Sequence, residues 1–254
     1  MVIPDFIKIL FQGFPGRATR GYLGWSSVVL IQRDKKILFD TGNWGDREEL
    51  LLQLRSKGLD PRDIDTVILS HLHFDHCINL PLFAKAEVIV SEEALNYARS
   101  VKDDLFVPEW IVDYLLAIRE RVRFVKGDTV LDERMTLIET PGHTPGSISC
   151  LVREGDLRVA LTGDAVKNAY EFLSGAPDMS RDMEASRQTI KKISQHADII
   201  IPGHDRAFSF DGNRIAYLSD ARFEIRARSN PYSDAWTSFT IGFTDAEGGG
   251  CKIE

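Results

Sequence analysis

Thr66-Val-Ile-Leu-Ser-His71-Leu-His73-Phe-Asp75-His76 is the stretch on which the reading of the chain turns. Val67, Ile68 and Leu69 make a short apolar run of the kind that forms a buried strand, and Ser70 marks the turn at its end. Beyond that turn His71, His73, Asp75 and His76 crowd into one loop. Imidazole and carboxylate donors at this spacing can serve two neighbouring cations, and they suit zinc, with manganese or iron as alternatives. A polar surface loop seldom collects such donors by accident.

Working outward from this loop, other apolar runs end in the same way. Residues 135 to 139 lead into Thr140-Pro-Gly-His143-Thr-Pro-Gly146, a rigid turn cluster that presents one histidine between proline-glycine breaks. A hairpin expected over 147–153 and 157–162 delivers Gly163-Asp164. A helix expected from Met183 to His196 precedes the apolar Ala197-Asp-Ile-Ile-Ile201, which delivers Pro202-Gly203-His204. His196 lacks a strand-end context, and capping or dipole contact at a helix end accounts for it.

Upstream, residues 22–31 and 35–39 read as paired strands, broken by Asp40-Thr-Gly42-Asn-Trp-Gly45. Asp40 suits either an Asx turn or a hydrogen bond to the ligand loop. Leu50, Leu51 and Leu54 give a helix over 46–57 an apolar side, and Gly58 ends it. Ser91 followed by Glu92 and Glu93 starts another helix, with serine as cap. Within a segment over 92–121, the apolar stripe of Phe106, Val107, Trp110, Ile111, Tyr114, Leu115 and Ile118 reads first as core, and otherwise as a pocket wall or subunit interface. A further helix is expected over 212–228, then an aromatic tail of Tyr232, Trp236, Phe239 and Phe243 and a flexible end over 246–254.

The 254 residues suffice for a full core, read as one domain over 1–254 built of two packed α/β halves. A net charge of -7 argues against a track for long nucleic acid. Arg17, Arg20, Arg119, Arg121 and Arg123 read as solvated charge. No apolar stretch approaches membrane-spanning length and no leader pattern opens the chain, so a cytoplasmic location is the expectation. Cys77, Cys150 and Cys251 form no disulfide or thiolate-site pattern, and Cys77 reads as a small buried thiol.

Taken in order, His71-x-His73-x-Asp75-His76, Pro141-Gly-His143, Gly163-Asp164 and Pro202-Gly-His204 resemble the motifs of the metallo-β-lactamase fold superfamily, from about residue 22 to residue 228. That resemblance implies an α/β fold, a four-layer αβ/βα sandwich with the ligands at one edge of paired sheets. It implies that His71, His73 and His143 hold a first divalent metal, that Asp75, His76 and His204 hold a second, and that Asp164 bridges them. An aspartate at 164 resembles lactonases, glyoxalase II-like thioesterases and ribonuclease Z-like phosphodiesterases more than lactamases with cysteine there. Cys77-Ile78-Asn79 departs from the glycine pair that common lactonase and glyoxalase motifs carry after the Asp-His step.

Paired cations would generate hydroxide near neutral pH for attack on a carbonyl. Asp75 is expected to orient that nucleophile as well as bind metal. Tyr170 is a candidate donor to the substrate carbonyl or leaving oxygen, with a pocket-lining aromatic as the alternative. Lys167 and Asn168 read first as solvent-exposed, with contact to an anionic substrate as the alternative. The expected activity is hydrolysis of a small ester, lactone or thioester. A phosphodiesterase or nuclease is the alternative, and a noncatalytic metal-binding interaction protein is the alternative of another class. A homo-oligomer is expected if the apolar helix or the aromatic tail is exposed.

Overall fold

In the central strands, successive apolar side chains leave opposite faces and both faces are buried. Val28 and Leu30 join one apolar cluster while Val29 and Ile31 join another. Leu38 divides in the same way from Ile37 and Phe39, as do Val67 from Ile68 and Val88 from Ile89. Strands covered on both faces carry unbroken apolar runs, which is why Val67-Ile-Leu69 is legible as a strand.

The computed structural model describes residues 1–228, 231–243 and 252–253. A six-stranded sheet has the order β1 (Ile7–Phe11), β4 (Val28–Gln32), β5 (Lys36–Phe39), β6 (Thr66–Ile68), β7 (Glu87–Ser91) and β8 (Val122–Val125), while β2 (Arg17–Ala18) and β3 (Gly21–Tyr22) form a separate ribbon. From β5 to β8 the strands are parallel. A seven-stranded sheet runs β15 (Ile215–Tyr217), β14 (Phe208–Phe210), β13 (Ile199–Pro202), β12 (Leu157–Gly163), β11 (Ile148–Glu154), β10 (Met135–Glu139) and β9 (Thr129–Val130).

The two sheets pack face to face. Val29, Ile31, Phe39, Ile68 and Ile89 meet Leu137, Cys150, Val159, Leu161, Ile199 and Ile201. Helices cover the outer faces. Leu50 and Leu54 of α1 (Arg47–Ser56), Leu95 of α3 (Glu92–Ser100), and Ile111 and Leu115 of α4 (Glu109–Ala117) close the first sheet. Phe172 of α5 (Ala169–Ser174), with Ile190 and Ile193 of α6 (Met183–His196), closes the second. The result is the expected αβ/βα sandwich. Ser91 caps α3 by accepting from the Glu93 N–H, and Gly58 follows α1 at φ 71°, a left-handed conformation that favours glycine.

Elsewhere the sequence expectations need correction. The paired strand expected over 22–31 starts at Val28, because Gly24 at φ 63° interrupts extended backbone. Residues 212–228 form no helix. The Asp211 carboxylate accepts the Asn213 and Arg214 N–H groups to make a turn, and β15 and β16 (Ala221–Ala227) follow. Phe223 and Ile225 alternate with Arg222, Glu224 and Arg226, which is the period of a strand rather than a helix. β16 pairs with β17 (Thr237–Phe243), so Phe239 lies in a strand, and β17 pairs with β18 (Lys252–Ile253). The rest of the end expected to be flexible, 246–251 and 254, lies outside the described residues. In the 92–121 segment Ile111 and Leu115 are core, whereas Leu105 and Leu116 are exposed. Among the described residues, no helix is long and apolar enough to cross a membrane.

Candidate metal centre

Parallel pairing sets the strand ends side by side. β5 and β6 end side by side at Phe39 and Ile68, just before Asp40 and Ser70, and β12 and β13 pair with Gly163 beside Pro202. The loops after β6, β10, β12 and β13 therefore open at one edge of both sheets. The Ile148 N–H donates to the Ser70 carbonyl at 2.9 Å, and the Ser27 N–H donates to the Gly203 carbonyl at 2.7 Å, so the two halves are joined at that edge. α2 (Phe74–Cys77) turns Asp75 and His76 inward. Of the chain's histidines, all but His196 meet here. His196 sits at the end of α6, its Nδ1 2.7 Å from the Lys192 carbonyl.

Each of these imidazoles has one nitrogen committed outward. His143 Nδ1 lies 3.0 Å from the Met179 carbonyl and His204 Nδ1 lies 3.1 Å from the Trp25 carbonyl. A carbonyl only accepts, so both Nδ1 atoms carry protons and both Nε2 atoms offer lone pairs. His76 Nδ1 lies 2.7 Å from Asp40 Oδ2. His71 Nδ1 lies 2.9 Å from Ser70 Oγ, whose proton goes to the same Asp40 oxygen at 2.7 Å. His73 is turned the other way, with Nε2 3.1 Å from Asp104 Oδ2 and Nδ1 inward. Asp40, which the sequence left between a turn and a ligand-loop partner, is fully buried at φ 60°, and its carboxylate also accepts the Ser70 N–H.

The inward atoms form compact groups. His71 with His73 and His143, His71 with His76 and Asp164, and Asp75 with His76 and His204 each place ligand atoms within 4.8 Å of one another. His143 Nε2 lies 3.0 Å from His73 Nδ1, which sets two lone pairs against each other unless a cation lies between. His71 Nε2, His76 Nε2 and Asp164 Oδ1 are buried without a hydrogen-bond partner. Asp164 Oδ1 lies 3.1 Å from His76 Nε2 and 3.2 Å from His204 Nε2, whereas its Oδ2 lies 3.3 Å from His143 Nε2. These donors fit two divalent cations.

The electrostatics agree with that fit. Burial drives His71 and His143 well below the ordinary imidazole range, so they are neutral, as ligation requires. Burial also opposes charge on His76 and Asp164, but the carboxylates of Asp164, Asp75 and Asp40 lift His76 well above its ordinary value, and the imidazoles of His204, His76 and His143 hold Asp164 well below its own. At His76 Nε2 a proton and a cation compete for one position.

Above the cluster is a cleft of about 370 Å³, lined by His73, Asp75, His143, Asp164 and His204 and walled by Phe14, Tyr22, Phe74, Phe106 and Met179. Tyr170 stands at its rim, 74% exposed. Lys167 and Asn168 are not solvated surface: both line the cleft, Lys167 beside Glu171 at 3.3 Å and Asn168 capping α5 by accepting the Glu171 N–H. Arg17 also lines the cleft, paired with Asp178. Sequence reasoning missed Asp104 and Tyr22, which carry no local motif and reach the site through tertiary packing alone.

An αβ/βα sandwich with paired His/Asp cages at its sheet edge defines a class of two-metal proteins. A model of the metallo-beta-lactamase superfamily matches residues 21–204. The chain belongs to that superfamily, and it is a metal-dependent hydrolase. It is 34% identical over 208 residues to metallo-beta-lactamase domain-containing protein 1 of Xenopus laevis, across 81% of this chain and 82% of that one. It is 28% identical over 165 residues to an N-acyl homoserine lactonase of Bacillus sp, across 63% of this chain and 63% of that one. The solved structure of a dizinc quorum-quenching lactonase in complex with a product matches with a TM-score of 0.64 at 18% identity, over 76% of this chain and 78% of that one, a likeness of fold.

Proposed function

We propose that the chain hydrolyses a small ester, lactone or thioester at a dizinc centre. In this reading His71, His73 and His143 would hold the first ion, Asp75, His76 and His204 would hold the second, and Asp164 would serve both. The observation that carries the reading is Asp164, whose oxygens face different imidazole groups on the floor of an aromatic-walled cleft. When bound, two such ions supply Lewis acidity and lower the pKa of a coordinated water toward neutrality.

The chain's own residues do the rest. Asp75 lies on the cleft floor, where its carboxylate accepts a hydrogen bond from the attacking water and aims it. Tyr22, Phe74 and Phe106 take the acyl part by apolar contact and exclude solvent. Tyr170, at the rim, donates a hydrogen bond from its phenol to the carbonyl or leaving oxygen. The lactonase among the chain's relatives favours a lactone as the first substrate to test.

The test is hydrolysis with the metal counted. Protein purified without added metal is assayed for bound zinc, manganese and iron, then for turnover of matched lactone, thioester and phosphodiester panels, beside Asp164→Asn and Tyr170→Phe. The reading expects about two ions per chain, acyl turnover, its loss in Asp164→Asn, and a lower kcat in Tyr170→Phe. Turnover of phosphodiesters alone overturns the substrate class, and metal binding without turnover on any panel overturns the catalytic reading.

A further inference from the structure

The loop between α3 and α4 carries a carboxylate that the metal cage does not use directly. Asp104 has a side chain only 4% exposed, and three donors converge on it. Its Oδ1 accepts the Phe106 N–H at 3.1 Å, which makes an Asx turn. An Asx turn needs one oxygen. The other, Oδ2, takes the Tyr97 hydroxyl at 2.6 Å and lies 3.1 Å from His73 Nε2.

We propose that Asp104, held in place by Tyr97, is the positioning residue of the first metal site. A carboxylate that already receives an O–H and an N–H acts as an acceptor, so the His73 proton resides on Nε2 and the lone pair on Nδ1, the atom that faces His143 Nε2 at 3.0 Å. The bond also fixes the tilt of the ring. Carboxylate partners of this kind orient a ligand imidazole and raise its basicity. Phe106, whose N–H sits on the other Asp104 oxygen, packs its ring 5.6 Å from His73 and 5.5 Å from Tyr22. The Phe74 N–H in turn donates to the Phe106 carbonyl at 2.8 Å. One carboxylate thus sets both a metal ligand and the aromatic wall above it. Tyr97 keeps Asp104 from swinging away, because its hydroxyl is delivered from the last turn of α3.

The inference rests on His71, His73 and His143 being the first ligand set, and the experiment separates the two. Metal-free wild type, Asp104→Ala, Asp104→Asn, Tyr97→Phe and Asp103→Asn are titrated with zinc against a chromophoric chelator, and with cobalt while its ligand-field absorption is followed. Urea unfolding of each metal-free protein reports the fold. Wild type binding two ions supports the ligand reading, and wild type binding none overturns that reading and this inference together.

With two ions bound by wild type, Asp104→Ala is expected to weaken one ion by about 10- to 100-fold and to alter the cobalt spectrum of that site. Asp104→Asn, which keeps an acceptor oxygen, loses less, and Tyr97→Phe loses several-fold. Asp103→Asn, which removes only the exposed pair with Arg181, binds as wild type. Unchanged affinity at both sites in folded Asp104→Ala sinks the inference alone, as does a loss that merely follows a lower unfolding midpoint. If Asp104→Ala does not fold, Tyr97→Phe decides, and a first site of wild-type affinity there also overturns the proposal.

Discussion

Gly203 shows how little room the site allows a single residue. A Cβ there would lie 2.2 Å from Asp164 Oδ1 and 2.8 Å from the Gly163 carbonyl, so one methyl group pushes the carboxylate off the position it holds between His76 and His204. Gly203→Ala is expected to cut kcat/KM by about 100-fold or more, since misplacing a reacting geometry by about 1 Å costs that much. Steady-state kinetics with metal counting on the folded variant checks it. Asp40 is the complementary case. Asp40→Ala strands the Ser70 N–H, the Ser70 hydroxyl and the His76 Nδ1–H in a fully buried place, and is expected to cost about 3 to 5 kcal/mol in urea unfolding of the metal-free protein.

At the scale of the element, α4 separates packing from exposure. Ile111 and Leu115 are wholly buried, whereas Leu116 is 41% exposed. Leu115→Ala is expected to lose about 2 to 5 kcal/mol of stability and Leu116→Ala less than about 0.5, as denaturant midpoints will show. The junction of α6 and β13 adds a pH-dependent contact. Arg158 grips Asp198 through its Nε at 3.1 Å and Nη2 at 2.6 Å, and these bonds hold the Asp198 carboxyl below its usual range. The pair's contribution is therefore present above the unfolded carboxylate value of about 4 and is lost as pH falls below it. Wild type is expected to lose slightly more stability than Asp198→Asn between pH 5 and pH 3. Solvent exposure keeps the difference below about 1 kcal/mol.

The elements also show what the sequence can and cannot convey. Val67-Ile-Leu69 and Ile199-Ile-Ile201 are readable because burial on both faces writes an unbroken apolar run, and α6 because Ile190 and Ile193 recur at helical spacing. Residues 212–228 mislead because a half-covered strand of Arg222, Glu224 and Arg226 shares its charge density with a surface helix, and only its alternation tells them apart. The donors from His71 to His204 can be picked out because each follows a strand end. The structure brings those side chains together, with His73, Asp75, His143, Asp164 and His204 lining the cleft and His71 and His76 buried beneath it. Asp104 cannot be found this way. It lies 31 residues from His73, and nothing local marks it as that ring's partner.

Over the whole molecule, the two sheets meet at a shared core and at a shared cluster of charged and imidazole groups. Without cations, that cluster sets His143 and His73 lone pairs 3.0 Å apart and leaves buried polar atoms unpaired. Cations that bind the folded state alone stabilise it by about 2.7 kcal/mol at a free concentration a hundred times the dissociation constant. Stripping with a chelator is expected to lower the unfolding free energy by about that much, a fall of about 5 to 11 °C in the midpoint, and restoring the metal to reverse the loss, as calorimetry on one sample through both steps will show.

Residues 71 to 76 come from the first half of the chain, and His143, Asp164 and His204 from the second. During synthesis the first sheet therefore leaves the ribosome with its imidazoles uncovered and no complete cage for either ion. An ion captured at that stage would meet only part of each ligand set and could leave again. On the ligand sets proposed above, the first would be complete once His143 and Asp164 are made, whereas the second would be complete only with His204, the last of these residues to be translated.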